Sequence, residues 1–237
     1  MSTPARQALG RAAADRVRPG MVVGLGTGDT AACFIRSLAE RTARDAALRS
    51  LRCVATSIRS AQLGSELGLS VIDVDALDCQ SPTPVDLTVD GADEIDPQLQ
   101  LVKGAGGALL FEKLIARLSR ELVIVADQGK QVQALGQKRR LPVEIVRFAA
   151  QHTQARIQRI DGVTDAVLRR TSTGEPYVTD GGNLIVDAAF VPTSNGAASL
   201  HAQLKALPGV VETGFFLTEA TCVLIADDEG RVVSLSR

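Results

Sequence analysis

Residues 21–35 read MVVGLGTGDTAACFI, and the change of pattern within them decides the fold. Met21–Leu25 is a short, largely apolar run, the length of a buried strand. Gly24, Gly26 and Gly28 break it. Ala31, Phe34, Ile35 and Leu38 then recur at i, i+3, i+4 and i+7, the buried face of a helix. Strand, glycine turn and helix make one βα unit, and the pattern repeats downstream. Leu51–Ser57 and Val71–Val74 read as further strands, with a short helix between them that stops near Gly68. Val85, Leu87 and Val89 alternate with Asp86, Thr88 and Asp90 as a fourth strand, and Leu99–Lys103 is extended. Phe111, Leu114, Ile115 and Leu118 mark another helix before the strand Leu122–Ala126. Upstream, Leu9, Ala13 and Val17 predict an amphipathic helix. Strands alternating with helices predict an α/β domain on a largely parallel sheet.

The pattern changes near residue 130. Gln128–Arg140 is polar and basic. Leu141–Val146 carries an internal Pro142 and is expected to be an edge-type strand. A helix through Ala149, Ala155 and Ile157 ends at Gly162. Val167–Arg170, Tyr177–Thr179 and Asn183–Val186 then read as antiparallel strands, and a helix around Leu200–Leu207 ends at Pro208–Gly209. These features predict a smaller α+β domain at 133–207, inserted in a domain made of 1–132 plus 208–237. The tail runs Cys222–Ala226 and Val232–Leu235 are joined by the turn Asp228–Glu229–Gly230 and are expected to rejoin the first domain.

Composition narrows the function classes. Of 237 residues, 45% are hydrophobic but only 3% aromatic, so Ala, Val, Leu and Ile must fill the core, as under parallel sheets. A net charge of -1 without a basic stripe argues against nucleic acid or an anionic membrane as partner. Cys33, Cys53, Cys79 and Cys222 form no C-x-x-C pair and read as reduced, structural thiols, which points to the cytoplasm. The first twenty residues lack the apolar run of a signal peptide, and no stretch approaches transmembrane length. His152 and His201 have no Cys, His or Asp at metal-ligand spacing, so no metal site is expected. There is no G-x-S-x-G elbow for a serine hydrolase. Acid–base chemistry falls to carboxylates and lysines.

Three loops follow strands of the first domain, at the sheet edge where ligands bind in open parallel sheets. The first is Gly24–Thr30. Its glycines let backbone amides approach an anion at a helix N-terminus, and Thr27 and Thr30 can donate hydroxyl hydrogen bonds. From Gly26 the stretch fits G-x-G-x-x-A, but the strand Leu51–Ser57 ends without the ribose-binding acid of a dinucleotide site. The loop is either a cradle for one phosphate or a plain glycine turn with an Asp or Thr cap. The second is Asp90-Gly91-Ala92-Asp93-Glu94-Ile95-Asp96. Strand geometry aims Asp90 and Asp93 at the crevice, where paired carboxylates suit hydroxyl binding and proton transfer. Glu94 and Asp96 read as a solvated acidic turn. The third is Lys103-Gly104-Ala105-Gly106-Gly107, running into a helix that carries Glu112. Lys103 and the exposed amides can stabilise a developing oxyanion. Glu112 is either a dipole-favoured surface acid or a group at the same crevice. Lys130, in Asp127-Gln128-Gly129-Lys130 after another strand, can reach an anion.

The stretches GLGTGDTA, TSIRSAQLGSELG, DLTVDGADEID, KGAGGALLFEKLIA, LPVEIV, TDGGNLIVD and GVVETGFF, in that order, resemble the A-type ribose-5-phosphate isomerase family from end to end. The resemblance implies a Rossmann-like domain with an inserted, smaller α+β domain of ferredoxin-like kind. It implies interconversion of ribose 5-phosphate and ribulose 5-phosphate through a cis-enediolate, with no metal or other cofactor, in a homodimer or a dimer of dimers. By it, Glu112 stands at the catalytic base. Asp90 and Asp93 stand at acids that open the furanose and bind hydroxyls, with Gly91 and Ala92 between them. Lys103 stands at the lysine that stabilises enediolate charge, followed by the amides of Gly104, Ala105 and Gly106. Thr27, Gly28, Asp29 and Thr30 match the phosphate loop, and Lys130 a second substrate lysine. Asp29 replaces a small neutral residue, Ala105 a glycine, and Arg6 an N-terminal lysine. A carboxylate at 29 is expected to turn away and cap the helix starting near Thr30. Otherwise a lysine such as Lys130 neutralises it, or the substrate carries no phosphate.

Overall fold

The computed structural model describes residues 3–191 and 196–236. In chain order, α1 (Thr3–Ala14) precedes β1 (Val22–Leu25), α2 (Asp29–Arg44), β2 (Arg52–Ala55), α3 (Ile58–Glu66) and β3 (Val85–Gly91). Two short strands, β4 (Glu94–Ile95) and β5 (Leu101–Val102), lead to α4 (Leu109–Arg117) and β6 (Ser119–Asp127). Then come β7 (Leu141–Ile145), α5 (Ala150–Ile157), β8 (Val163–Leu168), β9 (Leu184–Phe190), α6 (Gly196–Lys205), β10 (Val210–Thr213) and β11 (Phe215–Phe216). The chain closes with β12 (Cys222–Ala226) and β13 (Val232–Ser236). It divides into two compact units: Met1–Ala92 with Phe111–Lys130 and Thr218–Arg237, and Asp93–Leu110 with Gln131–Leu217.

The first unit is built on a six-stranded sheet in the order β13-β12-β6-β3-β1-β2. Every neighbouring pair is parallel except the closing hairpin β12–β13. From β1 the chain moves outward to β2, then returns to β3 on the other flank, so the strand order reverses between β1 and β3. That reversal opens a crevice beyond their carboxyl ends. The expected helix face holds: Ala31, Phe34, Ile35, Leu38 and Ala39 of α2 are buried. Phe34, Ile35, Leu38 and Ala39 pack in one cluster with Leu9 and Ala13 of α1 and with Val23, Leu25, Leu87 and Val89 of the sheet. A fully buried Phe or Leu contributes about 1.5–3 kcal/mol each. Helices α1 and α2 meet backbone to backbone at Gly10, where an added Cβ would lie 2.6 Å from the Cys33 carbonyl carbon.

The expected strand at Val71–Val74 does not form. Val71 makes a single bridge to Cys53, and a 3₁₀ turn, Val74–Ala76, follows. The Asp73 carboxylate accepts from Asp75 N at 3.0 Å, a local bond that competes with strand pairing.

In the second unit, β7-α5-β8-β9-α6-β10 forms a fully antiparallel sheet in the order β10-β7-β9-β8. This is the split βαβ order of ferredoxin-like folds. Its core contains Leu141, Val143, Ile145, Val186, Leu204 and Phe215, with Phe190 and Phe215 edge to face at 5.3 Å. The strand carrying Pro142 is interior, not at the edge. The reason is register: β10 pairs only with Val143–Ile145, so Pro142 sits past its end, and its carbonyl accepts from Gly214 N at 2.7 Å. Tyr177–Thr179 is not a strand either, since Val178 makes only an isolated bridge to Leu184. A small antiparallel sheet, β11-β5-β4, completes the unit.

Candidate active site

In the first unit, the β1 and β3 loops are stitched together at the strand-order reversal. Asp90, 1% exposed at the end of β3, accepts from Thr27 N at 3.0 Å and from Gly91 N at 2.7 Å. Gly26 is required for this approach, because a Cβ there would meet Asp90 Oδ1 at 2.5 Å. The Thr27 hydroxyl donates to Ser57 Oγ at 2.8 Å and lies 2.7 Å from Thr56 Oγ1, which ties the β1 and β2 loops. Gly28, at φ 101, is the N-cap of α2, and no side chain caps it. Asp29 is therefore the first helical residue and not the expected cap. It is exposed, and its carboxylate faces Arg59 Nη2 at 3.6 Å. The neutralising cation is an arginine of α3 rather than Lys130. Thr30 follows Asp29 in the first turn. Glu112 is buried in the first turn of α4, 5% exposed, where the helix dipole favours a carboxylate. Lys130 ends the 3₁₀ turn Gln128–Lys130 directly after β6.

The second unit carries the other set. Lys103 is buried, with its ammonium 5.4 Å from the ring centroid of Phe216, and its backbone N–H donates to Gly214 O at 2.8 Å. Gly104 adopts φ 106, a conformation that favours glycine, and Ala105 and Gly106 follow on an exposed turn. Ala105 N donates to Asp93 Oδ2 at 2.9 Å, so an expected site acid and an expected site amide already bind each other.

Glu94 and Asp96 overturn the expectation of a solvated acidic turn. Both are buried, Glu94 fully. Glu94 accepts backbone N–H bonds from Gly136 at 2.5 Å, from Arg139 at 2.8 Å and from Lys138. Asp96 accepts from Gln98 N and Gln100 N at 2.9 and 2.8 Å. Arg169, Tyr177 and Asp187 were not singled out by the sequence, yet they gather around Gly104–Gly106. Arg169 Nη1 donates to the carbonyls of Gly104 and Ala105, and Tyr177 Oη to that of Gly106. Asp187 ends the segment TDGGNLIVD and Tyr177 stands just before it, while Arg169, in the expected strand Val167–Arg170, carried no signal of its own.

Two of the four cysteines are made poor nucleophiles by burial. Burial pushes the Cys53 thiol up to about 12, and burial also raises Cys33. Among the described residues, no group of three or more His, Cys, Asp or Glu could hold a metal ion, and no helix is long and apolar enough to cross a membrane.

A family model described as ribose 5-phosphate isomerase A (phosphoriboisomerase A) matches residues 52–230. With the Rossmann-like sheet, that makes the class an α/β isomerase. Two curated relatives called ribose-5-phosphate isomerase A are similar over nearly their whole length. One, from Caulobacter vibrioides, is 47% identical over 94% of each chain. The other, from Synechococcus, is 45% identical over 95% of this chain and 94% of its own. Among solved structures, ribose 5-phosphate isomerase from Plasmodium falciparum superposes at TM-score 0.91 with 30% identity, covering 100% of this chain and 99% of its own. A D-ribose-5-phosphate isomerase in complex with phospho-erythronic acid superposes at 0.89 with 32% identity, covering 98% of each chain. The chain belongs to the ribose 5-phosphate isomerase A family.

Proposed function

We propose that this chain interconverts D-ribose 5-phosphate and D-ribulose 5-phosphate, a step of the non-oxidative pentose phosphate pathway. The observation that carries this is a near full-length match to ribose-5-phosphate isomerases in a chain that keeps Glu112, Asp90, Asp93 and Lys103. Asp90 and Asp93 assist proton transfer that opens the furanose. Glu112 takes the proton from C2. The C2–H electron pair becomes the C1=C2 double bond, and the C1 carbonyl oxygen takes up negative charge. Lys103 and the amides of Gly104 and Gly106 hold that charge, while the Ala105 amide holds Asp93. A proton passes from O2 to O1, Glu112 returns its proton to C1, and C2 becomes the carbonyl. One carboxylate serves both transfers because C1 and C2 are neighbours on one face of the enediolate.

Thr27, Gly28, Asp29, Thr30 and Lys130 take the phosphate, with Arg59 offsetting the charge of Asp29. Gly91 and Ala92 contact the sugar between the two acids. Phosphate binding remote from the reacting carbons holds them near the base. No metal or other cofactor takes part. The protein acts in the cytoplasm as a homodimer, with a Rossmann-like domain and an inserted α+β domain, and it has no nucleic-acid or membrane partner. Four unpaired thiols and a net charge of -1 support the location and the lack of polyanionic partners. Family resemblance supports the dimer.

The test is an NMR assay of purified, metal-stripped protein in deuterated water. The expected result is ribulose 5-phosphate from ribose 5-phosphate, undiminished by EDTA, with free ribose turned over far more slowly. Equal turnover of ribose, or activity that returns only with a divalent ion, would overturn the assignment.

A further inference from the structure

Three consecutive carbonyls of the Gly104–Gly107 turn are held by side chains from one neighbourhood of the second unit. Arg169 Nη1 donates to Gly104 O at 3.0 Å and to Ala105 O at 3.1 Å. Tyr177 Oη donates to Gly106 O at 3.1 Å. Arg169 is itself fixed. Asp187 takes it in a fork, Nε to Oδ2 at 2.8 Å and Nη2 to Oδ1 at 2.5 Å, and the Tyr177 ring lies 5.7 Å from its guanidinium carbon. A forked arginine–carboxylate pair restricts both distance and plane. The turn has no slack toward Tyr177, because a Cβ on Gly107 would lie 2.3 Å from the phenol oxygen.

A trans peptide is planar, with its C=O and N–H pointing in opposite directions. Fixing a carbonyl therefore aims the next amide. The Gly104–Ala105 peptide is held at both ends, its C=O by Arg169 and its N–H by Asp93 Oδ2 at 2.9 Å. By the same planarity, Arg169 on Ala105 O turns the Gly106 N–H away from the guanidinium. Without the clamp, a turn of small residues could rotate these peptides at little cost. Donors aimed in advance at developing charge are worth far more than donors that must reorient during reaction.

We propose that Arg169, braced by Asp187 and Tyr177, is a positioning residue. It orients the peptide groups of Gly104–Gly107 for the negative charge that builds on the substrate oxygens, and through the Ala105 amide it fixes the carboxylate of Asp93. This rests on the function proposed above. Arg169 does not touch the reacting atoms.

The test compares Arg169→Gln, Arg169→Lys and Tyr177→Phe with wild type. It reads kcat and KM for ribose 5-phosphate, and inhibition by 4-phospho-erythronate and by inorganic phosphate. The carboxylate of phospho-erythronate stands in for the enediolate oxygens, whereas phosphate reports only on the anchor. Arg169→Gln is expected to lower kcat by about tenfold to a hundredfold and to weaken phospho-erythronate by a similar factor. KM and phosphate inhibition should stay within about threefold, since the anchor is untouched. Tyr177→Phe should show the same split at about threefold to tenfold, with one donor lost. Arg169→Lys, which keeps the charge but not the fork, should recover only part of the loss. Unchanged kcat in the folded variants, or phosphate inhibition weakening in step with kcat, overturns the positioning role. If Arg169→Gln does not fold, Tyr177→Phe decides alone. A wild type without turnover overturns the functional proposal itself. An active wild type with unaffected variants overturns only the role of Arg169.

Discussion

Replacing Glu94 by glutamine tests whether a buried carboxylate organises the Gly136–Arg139 segment. Oε1 accepts from Lys138 N and Arg139 N, and Oε2 from Gly136 N. An amide keeps one acceptor oxygen and sets an NH2 group where the other stood. The favourable orientation keeps the oxygen toward Lys138 and Arg139, which leaves Gly136 N–H facing a donor. An orphaned buried N–H costs about 1–3 kcal/mol, and weakening two charge-assisted bonds to neutral ones adds about 1 kcal/mol. The expected loss is about 2–4 kcal/mol, a large share of the roughly 5–15 kcal/mol that holds a typical domain folded. For a chain of this length each kcal/mol moves Tm by about 2–4 °C, so the variant should melt on the order of 10 °C lower. Calorimetry or circular dichroism measures this directly. A shift under about 2 °C would mean that water or another donor arrangement satisfies the segment, and the organising role would be refuted.

Three further outcomes are expected. Glu112→Gln should fold and bind phosphate normally but lose about a hundredfold to ten-thousandfold in kcat, because an amide cannot take the C2 proton; near-normal turnover would remove Glu112 as the base. Arg59→Ala should raise KM for ribose 5-phosphate by less than about tenfold, and adding Asp29→Ser should cancel the rise, since Arg59 then has no charge to offset; an uncancelled rise would place Arg59 on the phosphate itself. Glu144 is buried, takes hydrogen bonds from Thr179 and Asn183, and has its pKa raised by burial, with Glu212 nearby adding to the rise. A carboxyl raised in the folded state gives stability that is full below the unfolded pKa and is lost as pH rises through the folded one. Thermal melts from pH 4 to 8 should therefore show Glu144→Gln gaining on wild type as pH rises, and a constant difference would contradict it.

Apart from Val71–Val74, where a local turn at Asp73 replaces the expected strand, the elements of the first unit were legible because each carries its own period. The β1 turn and the buried face of α2 needed nothing beyond local sequence. What was not legible depended on partners distant in sequence. Pro142 suggested an edge strand, since proline cannot donate to a ladder, but the short reach of β10 left its position unpaired on that side. The strand β10 itself lies beyond Pro208–Gly209, a stop signal that ends α6 without ending the sheet. Asp29 was read as a cap from local propensity, whereas Gly28 in a positive-φ conformation took the cap and Arg59, thirty residues away, took the charge.

The acids of Asp90–Asp96 show why the candidate site was only half readable. Composition makes them equivalent, and their partners make them different. Asp90 faces the β1 loop and binds Thr27 N, so it bridges two strand ends at the sheet reversal. Asp93 binds Ala105 N and so belongs to the glycine-rich turn that Arg169 holds from the other side of one peptide. Glu94 gathers three amides of residues 136–139, and Asp96 closes its own turn on Gln98 and Gln100. A carboxylate whose two oxygens both take backbone N–H groups, as in Glu94, has little acceptor capacity left for a substrate. By that criterion Glu94 is structural however buried it is. Asp93, which takes the Ala105 amide on one of its oxygens, keeps acceptor capacity for a sugar hydroxyl. Burial alone would have ranked these acids the other way, with Glu94 first and the partly buried Asp93 last. Lone-pair occupancy, not burial, separates Glu94 from Asp93 here.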